Sequence, residues 1–383
     1  MNGTEFEANW FSHQLARHIT DNDLRREIAL SRMVEKQQQQ RIAMLKPCDE
    51  TQLEHTIGYE QLAVDLTAEL AKREKDCDVK KALDFALLED FDHLYRYANQ
   101  LEMEQGVIAE QLVGGYTEIM PGRPTIAEHR FPKDNVKRHI CTKSADKQTV
   151  LSTMIITAAE QQTMNYYMNI SNFGENDAAR RLYKEIALVE EEHVTQYESL
   201  MDPCGDWMEM LLWHEYCECY LYWSCFVTET DRYIKGIWEE HLDMEISHLH
   251  RAAQLLEKYS GKHWQQVIGE GSFPPPISLH ENIDYVRNVL KNTVQFTSDR
   301  EDYKKLENLP DNADFFRYQK LIVPTVQDSQ AHNVICEHIR QYGEDYRYQT
   351  DCHPVCQLAD RGCDNTKVGR EKCAAKSTGF DCN

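Results

Sequence analysis

Apolar positions along this chain recur at helical rather than strand spacing. In TMIITAAEQQTMNYYM and KEIALVEEEHVTQYESLM they return every three or four residues, the period of a helix that buries one face. Breaks are few. Residues 4–45 read as one or two polar helices, the glutamine run between Glu35 and Arg41 included, and Pro47 ends them. Helices over 50–75 and 79–105 form a hairpin around Asp76, Cys77 and Asp78. Gly114-Gly115, Pro121-Gly122, Pro124 and Pro132 punctuate 106–148, which reads as a long crossover. A second hairpin covers 149–171 and 178–201, with Asp177 as N-cap, and a third covers 206–231 and 233–259, closed by Gly261. Polar helices follow at 279–297, 312–321 and 324–343, and the Cys-rich end looks irregular. The helix at 206–227 is apolar on every side (Trp207, Leu211, Trp213, Tyr220, Phe226), so other helices are expected all around it. The expected organisation is N-terminal helices over 1–45, an all-α bundle over 46–260, C-terminal helices over 261–345 and a tail over 346–383.

Composition narrows the function. A net charge of −22 argues against nucleic acid or an anionic membrane as partner. The start, MNGTEFEANWFSHQ, has neither the basic nor the apolar region of a signal peptide, and no apolar run reaches the roughly 18 residues of a membrane span. Thirteen cysteines without such a signal lead us to expect a cytoplasmic protein with thiols free or on metal.

The chemistry lies in a repeated spacing. Glu190 and His193 are three apart, one turn from each other on one helix face, and Glu160 stands thirty residues before Glu190. Shifting all three by 55 gives Glu215, Glu245 and His248, and shifting them back by 100 gives Glu60, Asp90 and His93. Two Glu helices and two Glu-x-x-His helices projecting inward can build a pair of metal sites, because four carboxylates neutralise two divalent ions. Without metal such a cluster in a dry core would be very costly.

The pattern resembles the ferritin-like superfamily of di-iron carboxylate proteins, with rubrerythrins as the nearest branch. The resemblance rests on these ligands, over 149–259 or, counting the first hairpin, 50–259. It implies Glu160 and Glu215 as terminal ligands, Glu190 and Glu245 as bridges, and His193 and His248 each on one metal. Glu218 stands where rubrerythrins carry an extra Glu, one turn beyond the Glu of the third helix. Two Fe ions are implied, with Mn or mixed Fe/Mn as the alternative.

The chain departs from that family. It has a third hairpin and lacks the paired Cys-x-x-Cys motifs of a rubredoxin-type centre. The break between the second and third hairpins is also short. Five residues span at most ~18 Å, whereas the opposed halves of one bundle call for a return over ~25 Å at 1.5 Å per helical residue. The hairpin at 50–105 could instead complete a site through the 106–148 crossover. Ligand type favours pairing two with three, and loop length favours one with either. Tyr197, Cys217 and Cys219 are candidate neighbours of the metals, His214, His241 and His250 take surface or supporting roles, and Glu128-His129 could fold over the site.

The leading expectation is an oxidoreductase reacting with oxygen or peroxide, compatible with a small organic substrate, a redox partner and a homo-oligomer. Metal storage or sensing without turnover is the second reading. A helical scaffold with vestigial ligands is the third, and it would pair the carboxylates with Arg or Lys.

Overall fold

A computed structural model describes residues 1–120, 125, 128–174, 176–342 and 354–359. The protein is mostly helical, as the periodicity predicts. Four antiparallel hairpins make its body: α1 (Asn2–His18) with α2 (Asn22–Ala43), α3 (Gln52–Arg73) with α4 (Cys77–Gln105), α6 (Lys147–Ile170) with α7 (Asp177–Glu198), and α8 (Trp207–Thr228) with α9 (Arg232–Ser260). Among its described residues, the crossover between the second and third of these holds a short helix, α5 (Glu110–Val113), and a 3-10 turn at Pro132–Asp134.

Local chemistry sets the helix ends. The Asp21 carboxylate accepts from the Leu24 N–H at 2.8 Å, and Asp76 and Asp231 cap α4 and α9 in the same way. Thr51 with Glu54, and Asp206 with Glu209, form capping boxes on α3 and α8. The N-cap of α7 is Asn176 rather than Asp177; Asp177 is the first helical residue, where its charge suits the helix dipole. Gly106 and Gly261, at φ of 66° and 65°, end α4 and α9 in the left-handed conformation that favours glycine.

These ends repeat. Adding 155 to α2, α3 and α4 gives the bounds of α7, α8 and α9, and it carries Gly106 onto Gly261. The chain is thus two similar halves of four helices joined by the crossover. The halves meet at α1 and α6, where Gly3 lies against Ala158, its own counterpart under the same shift.

Two large apolar cores fill the body. One joins α1, α2, α8 and α9 to parts of α3, α4, α6 and α7, and the other gathers mainly α3, α4, α6 and α7. Among the described residues no helix is long and apolar enough to cross a membrane. The aromatic helix α8 is buried around most of its circumference, as its composition requires.

The C-terminal part adds α10 (Ile283–Thr293), α11 (Asp314–Ile322), α12 (Gln330–Tyr342) and α13 (Cys356–Ala359), with shorter helices than the sequence pattern suggested. A two-stranded antiparallel hairpin, β1 (Phe296–Asp299) and β2 (Asp302–Lys305), occupies a stretch partly read as helix. It braces the crossover. Lys137 donates to the Asp134 carbonyl at 3.0 Å and the Arg300 carbonyl at 2.5 Å, and Tyr303 packs on Phe85 with ring centroids 4.6 Å apart.

The Gly3 contact yields a prediction. A Cβ there would lie 2.9 Å from the Ala158 carbonyl oxygen and 3.1 Å from the Gln162 Cβ. Helix propensity alone favours Gly3→Ala by about 1 kcal/mol, but overpacking a tight seam costs about 1–3 kcal/mol. Gly3→Ala is expected to lower the thermal midpoint; an increase would show that the seam yields freely.

Candidate metal centre

Six of the side chains singled out in the sequence converge, and all six come from the second and third helical hairpins in chain order. α3 supplies Glu60, α4 Asp90 and His93, α6 Glu160, and α7 Glu190 and His193. The i, i+3 spacing puts each carboxylate–imidazole pair on one inward face. None of the six is more than 2% exposed, so the cluster is dry.

Glu190 is central. Its Oε1 lies 3.0 Å from His93 Nδ1 and its Oε2 3.3 Å from His193 Nδ1. His193 Nδ1 also lies 3.3 Å from Asp90 Oδ1 and 3.6 Å from Glu160 Oε2. Two overlapping donor groups result: Asp90, Glu160, Glu190 and His193, and Glu60, His93 and Glu190. Within each, one potential ligand atom per residue lies within 4.8 Å of the others, and Glu190 belongs to both.

The charge balance is poor. Burial, joined by Coulomb repulsion from neighbouring carboxylates, pushes Glu60 and Glu160 well above the usual carboxylate range. Asp90 is pushed up to about 7, mainly by burial. Burial opposes ionisation of Glu190 too, but hydrogen bonds from His193 and His93 outweigh it and hold that carboxyl low. Buried Glu60 Oε2, both Asp90 oxygens and Glu160 Oε1 have no hydrogen-bond partner among the described residues. Among the described residues no lysine or arginine lies within ion-pair distance of Glu60, Asp90, Glu160 or Glu190. The Arg or Lys pairing expected of a vestigial scaffold is therefore not found here. These donors suit divalent cations, and Glu190 could touch two.

A second layer fixes the imidazole. His193 Nε2 lies 2.7 Å from Glu89 Oε2, and the other Glu89 oxygen accepts from Arg130 Nη1. Arg130 is wholly buried; its Nε donates to Asn135 Oδ1 at 2.6 Å and lies 3.3 Å from Glu192. Its backbone N–H donates to both Glu192 oxygens at 3.0 and 3.1 Å. The crossover thus closes over the cluster, as the Glu128-His129 reading suggested, but the seal is Arg130. His129 is buried beside it, its pKa driven down to about 4 chiefly by that burial. Tyr167 donates to Glu60 and fixes that carboxylate.

The last body hairpin does not join this cluster: of the two pairings the sequence leaves open, the structure brings together 50–105 with 149–201, the one favoured by loop length, and not 149–201 with 206–260. The link from α7, which ends at Glu198, to α8, which begins at Trp207, is taken up in turns, with the Leu200 and Met201 N–H groups donating back to the Tyr197 and Glu198 carbonyls, so it is not stretched into the return that opposed halves of one bundle need. Glu215, Glu218, Glu245 and His248 gather instead with Glu5, Glu35 and Gln38 from α1 and α2. The N-terminal helices, expected outside the bundle, are part of it.

Tyr197 is fully buried, its ring centroid 6.4 Å from that of His193, and its hydroxyl is pushed well up by burial and by Glu160 and Asp90. Burial pushes the Cys217 and Cys219 thiols up as well, so neither is a reactive thiolate. His214 stacks on Phe11 at 3.9 Å, and His250 is exposed. His241 lies 3.1 Å from the Tyr222 hydroxyl, which donates to Glu5. Cys48, Cys77, Cys141, Cys204, Cys225 and Cys356 carry free thiols, whereas Cys336 is disulfide-bonded, a departure from the expected free thiols. Cys352, His353, Cys363, Cys373 and Cys382 lie outside the described residues.

Comparison of the chain with protein-family models, with curated proteins and with solved structures finds no match.

The Arg130 network predicts strong coupling. Removing one member of a buried ion pair costs about 3–5 kcal/mol, because the other is left uncompensated. Arg130→Met is expected to destabilise by that amount in urea unfolding. Adding Glu89→Gln should recover part of the loss, and simple additivity would show that the two residues do not act as a pair.

Proposed function

We propose that the protein is an oxidoreductase of the ferritin-like di-metal type, with a dinuclear centre, of iron by preference, held by Glu60, Asp90, His93, Glu160, Glu190 and His193. The observation that carries this reading is Glu190 set between two imidazoles, in a dry cluster whose four carboxylates have no lysine or arginine partner among the described residues. The orphaned oxygens of Glu60, Asp90 and Glu160 fit the group, since a metal pair would satisfy them. When bound, such a pair supplies electrons and open coordination positions to oxygen or peroxide.

The chain's own residues do the rest. Glu89 takes the Nε2 side of His193 and leaves Nδ1 facing the carboxylates, so the tautomer is set by the Arg130 network rather than by chance. Tyr167 orients Glu60 from the opposite side. Asp90, one methylene shorter than Glu, reaches less far than the other carboxylates and makes the two positions unequal. The enclosure favours small reactants over a bulky substrate. Arg130, His129 and Glu192 exclude water over α7, and the protonated Tyr197 hydroxyl lies on the same side as His193.

The test is elemental analysis of anaerobically purified protein, with optical spectra before and after air or peroxide. Glu190→Ala is expected to remove about two metal equivalents, and His93→Ala to reduce content or reactivity about as far as His193→Ala. Unchanged metal content in a Glu190→Ala/His193→Ala protein would end this reading. Retained metal that consumes no oxidant would favour storage.

A further inference from the structure

The second cluster has the plan of the first, with one substitution that changes what it can hold. Under the shift of 155 that relates the halves, Glu60, His93 and Glu190 correspond to Glu215, His248 and Glu35. Those three side chains do meet: a carboxylate oxygen from Glu35 and from Glu215 and a His248 ring nitrogen lie within 4.8 Å of one another. His248 Nδ1 is 3.2 Å from Glu245 Oε2 and 3.9 Å from Glu215 Oε2. Glu5, Glu35, Glu215, Glu218 and Glu245 are all buried, at most 3% exposed. Glu5 Oε2, Glu35 Oε2, Glu215 Oε2 and Glu218 Oε1 have no hydrogen-bond partner among the described residues.

The counterpart of His193 is Gln38. Its amide donates to Glu245 Oε1 at 2.6 Å, where an imidazole would offer a lone pair. That half of the cluster is closed by a hydrogen bond, while the half around His248 keeps its full donor set. Carboxylates outnumber the single imidazole more heavily than in the first cluster, and oxygen-rich sets favour hard ions. The side chain of His248 is also 12% exposed where that of His193 is 0%, so this position opens further toward solvent.

We propose that Glu35, Glu215 and His248, with Glu245 beside them, bind one divalent cation of the Mn2+ class in a second centre, separate from the first. Five buried carboxylates against one imidazole leave negative charge for an ion to neutralise, and the unpartnered oxygens are the ones such an ion would take up. The site stands on its own side chains and does not depend on the redox reading of the first cluster.

The full chain, stripped with a chelator and reloaded with Mn2+, is counted for metal after desalting. Wild type is expected to hold about three ions, Glu35→Gln/Glu215→Gln about two, and Glu160→Gln/Glu190→Gln about one. Circular dichroism checks that each variant is folded. Wild-type loading in a folded Glu35→Gln/Glu215→Gln protein overturns the proposal. A wild-type count of one that this pair of substitutions abolishes keeps it and sinks the first centre instead. Should Glu35→Gln/Glu215→Gln fail to fold, the Glu160→Gln/Glu190→Gln protein decides: a thermal midpoint that rises with Mn2+ and saturates at one equivalent supports the second centre, and no rise refutes it.

Discussion

The constraint on which this structure depends is a set of buried carboxyl groups with no lysine or arginine among the described residues to meet them. Each half of the molecule contributes one helix pair to each of two inward-facing clusters, and in both the carboxylates sit where water cannot reach them. Such groups must be protonated, hydrogen-bonded or matched by positive charge. The protein matches them only in part. Two imidazoles and one tyrosine meet the first cluster, and one imidazole, one amide and one tyrosine meet the second. Everything else serves to hold that unfavourable arrangement in place: capped helix ends, two apolar cores and a crossover pinned from outside.

Loop length decides which hairpins face each other. α2 runs into α3, and α7 into α8, through links coiled into turns rather than stretched out, so consecutive hairpins of one half are not placed as the opposed halves of one bundle. The long crossover has the reach, and it brings α3 and α4 against α6 and α7. The outer pairs, α1 with α2 and α8 with α9, then meet each other. The halves touch where α1 crosses α6, and the residues in closest approach, Gly3 and Ala158, are counterparts under the repeat. A self-matching contact between small residues is how two equivalent surfaces usually meet about a two-fold axis, and here it lies two residues from Glu5 and two from Glu160.

Much of this was legible. Helix periodicity and the Asp and Gly residues at the turns marked three of the four hairpins, because capping is a local interaction that a short stretch of sequence carries whole, while the first was read only as one or two polar helices over 4–45. The Glu…Glu-x-x-His spacing found six residues of the first cluster and three of the second, Glu215, Glu245 and His248, and the rubrerythrin resemblance added Glu218. Glu5, Glu35 and Gln38 were missed, although stepping back 55 from Glu60, Asp90 and His93 lands on them. Glutamine in place of histidine hid the match, and its setting in a glutamine run read as a solvated face. Arg130, Glu89 and Glu192 were not legible, since what makes them matter is a loop folding back over α7, a tertiary fact with no local periodicity. The β hairpin escaped because four-residue strands give too few alternations to outweigh the helical stretch before them.

The two clusters share a plan but not an environment, and the difference follows from where the crossover lies. Its described residues pass over the first cluster, and there bring a buried guanidinium within reach of Glu89 and Glu192 and, through Glu89, of His193. Val34 and Met244 stand where repeat shifts of 55 and 155 would put a counterpart of Glu89. Lacking that carboxylate, the second cluster has no matching anchor behind His248. Closure and a fixed imidazole suit chemistry that must exclude water, because charge interactions strengthen as the surroundings dry. Openness and a hydrogen-bonded amide suit an ion that stays put and takes no part in turnover. One helix plan, repeated in a single chain, thus presents two clusters of different character, and the crossover, belonging to neither half, is what sets them apart.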